Sequence, residues 1–159
     1  MTAAVIRPAS PQDAGRIAAV YSAGIAERQA TFETEPRTAH DVAPWLAADG
    51  QPLLVAESGG EVAGWARVMR SSDRCAYAGV GEYTIYLDPA VRGRGIGQAL
   101  LAALAQEAEA AGYWKLLGRL FTTNGASIAL AHRAGFDDVG VHRRHGRLEG
   151  EWKDVLVVE

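Results

Sequence analysis

The segment Arg92-Gly93-Arg94-Gly95-Ile96-Gly97 stands between a stretch rich in β-branched and aromatic residues and a run of helical apolar spacing. In such a place free loop amides and the positive end of a helix dipole converge on one small volume, which suits phosphate oxygens. Gly93, Gly95 and Gly97 let the backbone approach an anion closely, and Arg92 and Arg94 add charge. A nucleotide P-loop would close on Gly-Lys-Ser/Thr, and Gly97-Gln98-Ala99 does not. A dinucleotide fingerprint has another glycine spacing and usually opens its domain, whereas this loop follows several strands. What remains is Arg-x-x-Gly-x-Gly, a pyrophosphate loop after a strand. The plainer alternative is that the glycines only ease a tight strand-to-helix turn.

The elements that must position this loop follow from periodicity. Residues 5–7 make a short first strand. Ser10, Pro11 and Asp13 open a helix whose apolar stripe is Ile17, Val20, Tyr21 and Ile25. Residues 31–36 read as a loop and 38–48 as a second helix, with Val42, Trp45 and Leu46 on one side. A hairpin joins residues 53–57 to 62–68 through Ser58-Gly59-Gly60-Glu61, and a polar loop at 71–74 leads to a central strand at 81–87. After the glycine loop, Ile96, Leu100, Leu101, Leu104 and Ala108 form one buried helical stripe that Gly112 terminates. Residues 115–121 form a strand, Asn124 opens a short helix that ends at Gly135, and 136–144 pairs with 152–158. The order β-α-α-β-β-β-α-β-α-β-β is a mixed α/β layer fold.

Composition narrows the class. The chain has 159 residues, 48% hydrophobic and 22% charged, with net charge −3. That is enough for one domain over residues 1–159 with a real core, and it argues against bulk nucleic-acid or anionic-membrane binding. Cys75 is the only cysteine, which excludes an internal disulfide and a multi-cysteine zinc site and fits a reducing compartment. The start, Met1-Thr2-Ala3-Ala4-Val5-Ile6-Arg7-Pro8, lacks a secretory pattern, and no apolar run reaches membrane length. The expectation is a cytoplasmic protein. Arg67 and Arg70 read as ordinary surface charge, and His142-Arg143-Arg144-His145 as a solvated turn without metal spacing.

The loop, its preceding strand and Asn124-x-x-Ser127 with Gly135-Phe136 resemble the GNAT superfamily of N-acetyltransferases. Within it, four stretches resemble the phosphinothricin and arsinothricin N-acetyltransferases: Ala30-Thr31-Phe32-Glu33-Thr34-Glu35-Pro36, Arg74-Cys75-Ala76-Tyr77, Glu82-Tyr83-Thr84-Ile85-Tyr86-Leu87 and Gly150-Glu151-Trp152-Lys153-Asp154-Val155. The resemblance implies a GNAT fold, a mixed sheet of about seven strands flanked by about four helices. It implies acetyl-CoA as donor and no metal. Donor contacts would come from Ile85, Tyr86, Leu87, the loop residues Arg92, Gly93, Arg94, Gly95, Ile96 and Gly97, and from Gln98, Asn124 and Ser127. The strands at 81–87 and 115–121 would splay to admit the pantetheine arm, and the amide near Leu87 would polarise the thioester carbonyl.

Glu82 aligns with the family's catalytic glutamate. A protonated amine cannot attack a thioester until a base, direct or through water, takes its proton. Alternation puts Glu82 on one strand face with Thr84 and Tyr86; a solvated glutamate at a strand end is the plainer reading. Phe32, Arg74, Tyr77, Glu82 and Thr84 would hold the acceptor, a small anionic amino-acid analogue, and antibiotic or herbicide resistance and a homodimer would follow. Asn124 would contact the pantetheine, and it is also a good N-cap. Two positions depart from the family: Glu149 stands where a histidine is usual, and Ala131 where a tyrosine usually protonates the departing thiolate. His132 is no substitute, being rotated about 100° around the helix. Other acceptors (a polyamine, an aminoglycoside, a protein N-terminus) or a non-catalytic acetyl-CoA sensor remain alternatives.

Overall fold

The computed structural model describes residues 3–159; Met1 and Thr2, the first two residues of the start scanned for a leader, lie outside them. Seven strands form one sheet in the order β1-β2-β3-β4-β5-β7-β6. They are β1 (Val5–Pro8), β2 (Leu53–Ser58), β3 (Glu61–Arg70), β4 (Val80–Leu87), β5 (Lys115–Phe121), β6 (Asp138–Leu148) and β7 (Glu151–Val158). Four helices accompany them: α1 (Ala14–Ala26), α2 (Ala39–Ala47), α3 (Ile96–Ala110) and α4 (Gly125–Arg133). All neighbouring strands are antiparallel except β4 and β5. The chain order of strands and helices is the one periodicity predicts, and among the described residues no helix is long and apolar enough to cross a membrane.

Each face of the sheet has its own core. On one face Leu100, Leu101, Leu104 and Ala108 of α3 pack on Leu54, Ala66, Val68, Tyr83 and Leu156. On the other, Ile17 and Val20 of α1 and Val42 of α2 cover Val55, Trp65 and Tyr86. Strand alternation explains the sorting: Tyr83, Ile85 and Leu87 belong to the α3 side and Tyr86 to the α1 side. Helix α1 lies very close to β4. A Cβ at Gly24 would stand 2.5 Å from a ring carbon of Tyr86, so only glycine admits this approach.

The feature that shapes the site is the β4–β5 pairing. It covers only Val80↔Lys115, Gly81↔Leu116 and Glu82↔Leu117. From Gly118 onward β5 pairs with β7, and the last five residues of β4 have no strand on their β5 side. The expected splay is present. At the point of divergence the Tyr83 ring lies against Gly118, where a Cβ would be 2.5 Å away, and it meets Phe136 at 5.0 Å.

One expectation is corrected. The basic run at 142–145 is no solvated turn ending a strand, because β6 continues through it to Leu148 and the hairpin turn falls at Glu149-Gly150. The register shifts between His142 and Gly146, and Arg144 takes a left-handed conformation (φ 47°), its N–H donating to Asp154 Oδ1 at 2.7 Å. A bulge of this kind absorbs polar residues within a strand.

The entry to α1 is fixed by charge. Arg7 of β1 donates to both oxygens of Asp13 (2.8 and 2.9 Å) and to Glu57 of β2 (2.9 Å). Asp13 is buried and also accepts from the Ser10 N–H at 2.7 Å. Hydrogen bonding to Arg7 holds the Asp13 carboxyl down from 3.8 to about 2, against the opposing pull of burial. Its folded value lies below its unfolded one, so the contribution is complete above about pH 4 and fades as pH falls toward 2. Asp13→Asn should destabilise the protein by about 2 kcal/mol at neutral pH. Urea unfolding across pH 2 to 7 should show the gap between variant and wild type closing at the acid end.

Candidate active site

The C-terminal half of β4, the start of α3 and the face of α4 enclose a cleft of about 630 Å³. Of the residues expected to contact the donor, Ile85, Tyr86, Leu87, Arg92, Gly93, Gly95, Gly97, Gln98, Asn124 and Ser127 line it, whereas Arg94 and Ile96 do not. Ile96 turns into the α3 core and Arg94 is exposed. Gly93 and Gly95 adopt φ of 76° and 80°, a region that side chains disfavour. Gly95 is the N-cap of α3 and no side chain caps that helix, so its first amides are left for an anion.

The charges around the loop differ from the simplest expectation. Arg92 donates to both oxygens of Glu27 (2.8 and 2.6 Å) and to the Leu87 carbonyl at 3.2 Å. Each partner reinforces the other: Glu27 is held below its ordinary value and Arg92 above its own, first by that hydrogen bonding. Arg92 therefore ties α1 to the loop. The cation that sequence reasoning missed is Arg133 of α4, which lines the cleft with Ser127 and Leu130; the i, i+3, i+6 spacing from Ser127 carried that signal. Asn124 accepts the Ser127 N–H at 3.2 Å as a helix cap while also lining the cleft.

A second pocket, about 390 Å³, opens from the same split and shares Ala30, Ile85, Tyr86, Asn124 and Ser127 with the first. Glu82, Thr84 and Phe32 all line it. Phe32 meets Phe121 edge-on at 4.8 Å and sits over Gly146, where a Cβ would be 2.7 Å from its ring. That contact anchors the loop after α1 to β5 and β6. Arg119 Nη1 donates to Glu82 Oε1 at 2.7 Å. Tyr21 also lines the pocket, and burial pushes the Tyr21 and Tyr86 phenols above their ordinary values, so both are neutral hydroxyls at pH 7.

Arg74 and Tyr77 are not brought to this pocket. Tyr77 ends a 3-10 turn, Cys75–Tyr77, that Arg74 precedes, before β4; both are exposed, with the guanidinium 5.5 Å from the Tyr77 ring centroid. Cys75 is exposed on the same turn and lines neither cavity. The reading of Arg67 as surface charge is corrected. Its guanidinium stacks 3.7 Å above the Trp45 ring, its Nε is buried without a hydrogen-bond partner among the described residues, and burial lowers its pKa to about 10. Arg70 is exposed. Glu149 pairs with Arg28 at 2.6 Å outside both cavities. Ala131 is fully buried, and His132 faces Asp138 at 2.7 Å away from the cleft. Among the described residues no group of three or more His, Cys, Asp or Glu is placed to hold a metal.

Comparison with known proteins converges on one family. The Acetyltransferase (GNAT) family model matches residues 18–136. A phosphinothricin N-acetyltransferase of Streptomyces coelicolor is 33% identical over 160 residues, covering 97% of this chain and 94% of the relative. An L-methionine sulfoximine/L-methionine sulfone acetyltransferase of Pseudomonas paraeruginosa is 31% identical, covering 98% and 93%. The crystal structure of a GNAT phosphinothricin acetyltransferase from Sinorhizobium meliloti in complex with acetyl-CoA superposes with a TM-score of 0.92 at 30% identity, covering 99% of this chain and 87% of the other. With its sheet, its split strands and its uncapped glycine loop, the chain belongs to the acetyltransferase (GNAT) family: it is an acetyl-CoA-dependent N-acetyltransferase.

Proposed function

We propose that residues 1–159 form a single N-acetyltransferase domain that acetylates the amine of a small amino-acid analogue of the phosphinothricin or methionine sulfoximine type. One observation carries the reading: the donor cleft and the Glu82 pocket meet at the β4–β5 split and share Ile85, Tyr86, Asn124 and Ser127. The loop amides and the first turn of α3 hold the donor's pyrophosphate, and its arm runs along the unpaired length of β4. The acceptor enters beside Phe32 and Thr84. Glu82, directly or through water, takes a proton from the ammonium. The freed nitrogen attacks the thioester carbon, the carbon–sulfur bond breaks, the nitrogen loses its second proton to water to give the neutral amide, and coenzyme A leaves as thiolate. The relatives that act on amino-acid analogues support this choice of substrate.

Thiol release with acetyl-CoA, screened against phosphinothricin, methionine sulfoximine, polyamines and aminoglycosides, tests the reading. Turnover confined to cationic polyamines would sink the substrate assignment. Glu82→Gln should lower kcat by about 10²–10⁴-fold and leave acetyl-CoA affinity near wild type by calorimetry; full activity in this variant would remove Glu82 from the chemistry. Gly95→Val, which forces a β-branched residue into the left-handed region, should raise KM for acetyl-CoA about tenfold. An unchanged KM would show that the cofactor does not use this turn. Cys75→Ala should keep wild-type turnover, whereas near-complete loss would point to an acyl-enzyme.

A further inference from the structure

The ion pair between Arg119 and Glu82 is not a structural tie of the ordinary kind. Glu82↔Leu117 is the last pair of the parallel register, and Arg119 lies two residues further on the same face, where β5 has already left β4. Its side chain reaches back over the mouth of the split to Glu82 at 2.7 Å. The arginine is half exposed and the glutamate 21% exposed. An ion pair this open adds little to stability. Both partners line the acceptor pocket. With Arg119 on Oε1, one of the two Glu82 oxygens facing an incoming ammonium already carries a cation.

A zwitterionic α-amino acid resolves this arrangement. It carries an ammonium and a carboxylate on one carbon, the charge complement of the pair it meets. The ammonium can take Arg119's place on Glu82, and the carboxylate can take Glu82's place on the arginine, whose forked donors match two carboxylate oxygens. Neither protein charge is left uncompensated. A simple amine or polyamine would satisfy Glu82 but leave the Arg119 cation facing a second cation. We propose that Arg119 holds the acceptor's α-carboxylate and that the resting Glu82–Arg119 pair is the contact a zwitterionic acceptor replaces. Arg119 is thus the specificity-determining residue for an α-amino acid. The assignment rests on the acceptor reading given under Proposed function.

The test compares two acceptors, phosphinothricin and the amine that replaces its α-carboxylate with hydrogen, in the full chain. Wild type should favour the amino acid. Arg119→Leu should raise KM for the amino acid about tenfold or more and collapse its advantage in kcat/KM over the amine. Arg119→Lys should restore part of that advantage, since it keeps the charge without the fork. KM for acetyl-CoA and the melting temperature report whether each variant is folded. Equal losses for both acceptors in Arg119→Leu would overturn the proposal and reduce Arg119 to a positioning residue for Glu82. A wild-type enzyme indifferent to the carboxylate would overturn it too, while leaving acetyl transfer intact. No thiol release by wild type with either acceptor would overturn this proposal together with the acceptor reading beneath it.

Discussion

Everything functional in this chain depends on β4 and β5 parting after three paired residues. A parallel pair that continued would satisfy its backbone groups internally and seal the sheet. Here β4 keeps β3 along one edge for its whole length and loses β5 along the other. Two cavities open from the gap, one toward α3 and α4, the other toward the loop after α1. The sheet tolerates the split because β5 hands over to β7 at Gly118 and because the Tyr83 ring fills the angle against that glycine. Burial pushes the Tyr83 phenol to about 12, in keeping with a ring used for packing and not for proton transfer.

Around the gap, charge is handled by pairing. Arg92 is paired with Glu27, and the start of α3 has no side-chain cap, so backbone amides are what the loop leaves free for an anion. The Glu82–Arg119 pair is made by side chains alone and is more open to solvent. Arg67 is a half-buried cation that stacks on Trp45 of α2 and lines neither cavity.

The order of the elements was fully legible in the chain, because each helix carries its own apolar stripe and each strand its bounding turn. The glycine loop was legible too, since its spacing and its place before a helix are local properties. Arg119 was not. Its position beside Glu82 depends on the register between residues 35 apart in chain order at Glu82↔Leu117, read from a pairing and not a pattern, plus the loss of that pairing immediately afterwards. Tyr21 and His145 reach the same pocket from α1 and β6, for reasons of packing between distant elements. Alternation placed Arg67 on a strand face but could not say that Trp45 would cover it. The resemblance pointed to Arg74 and Tyr77, and the fold puts both at an outer turn. Residue type and family pattern named most of the residues that line the first cleft, whereas the second pocket is lined largely by residues that only distant packing brings together.

The altered position at Ala131 follows from the same packing. Ala131 is fully buried in the core that α3 forms with β4 and β7. His132, the nearest polar alternative, is bound to Asp138 on the outside. Neither Ala131 nor His132 brings the cleft a proton donor, and under the reading proposed above a departing thiolate would take its proton from water. Chemistry permits that, because a thiol titrates near about 8.5 and its anion is a stable leaving group at neutral pH. A protonating side chain would matter most if the leaving group were far more basic than the attacking amine, and a thiolate is less basic than an amine. The step that needs a placed group is removal of the acceptor's proton, and under the proposed reading the carboxylate for it is Glu82, which lines the pocket.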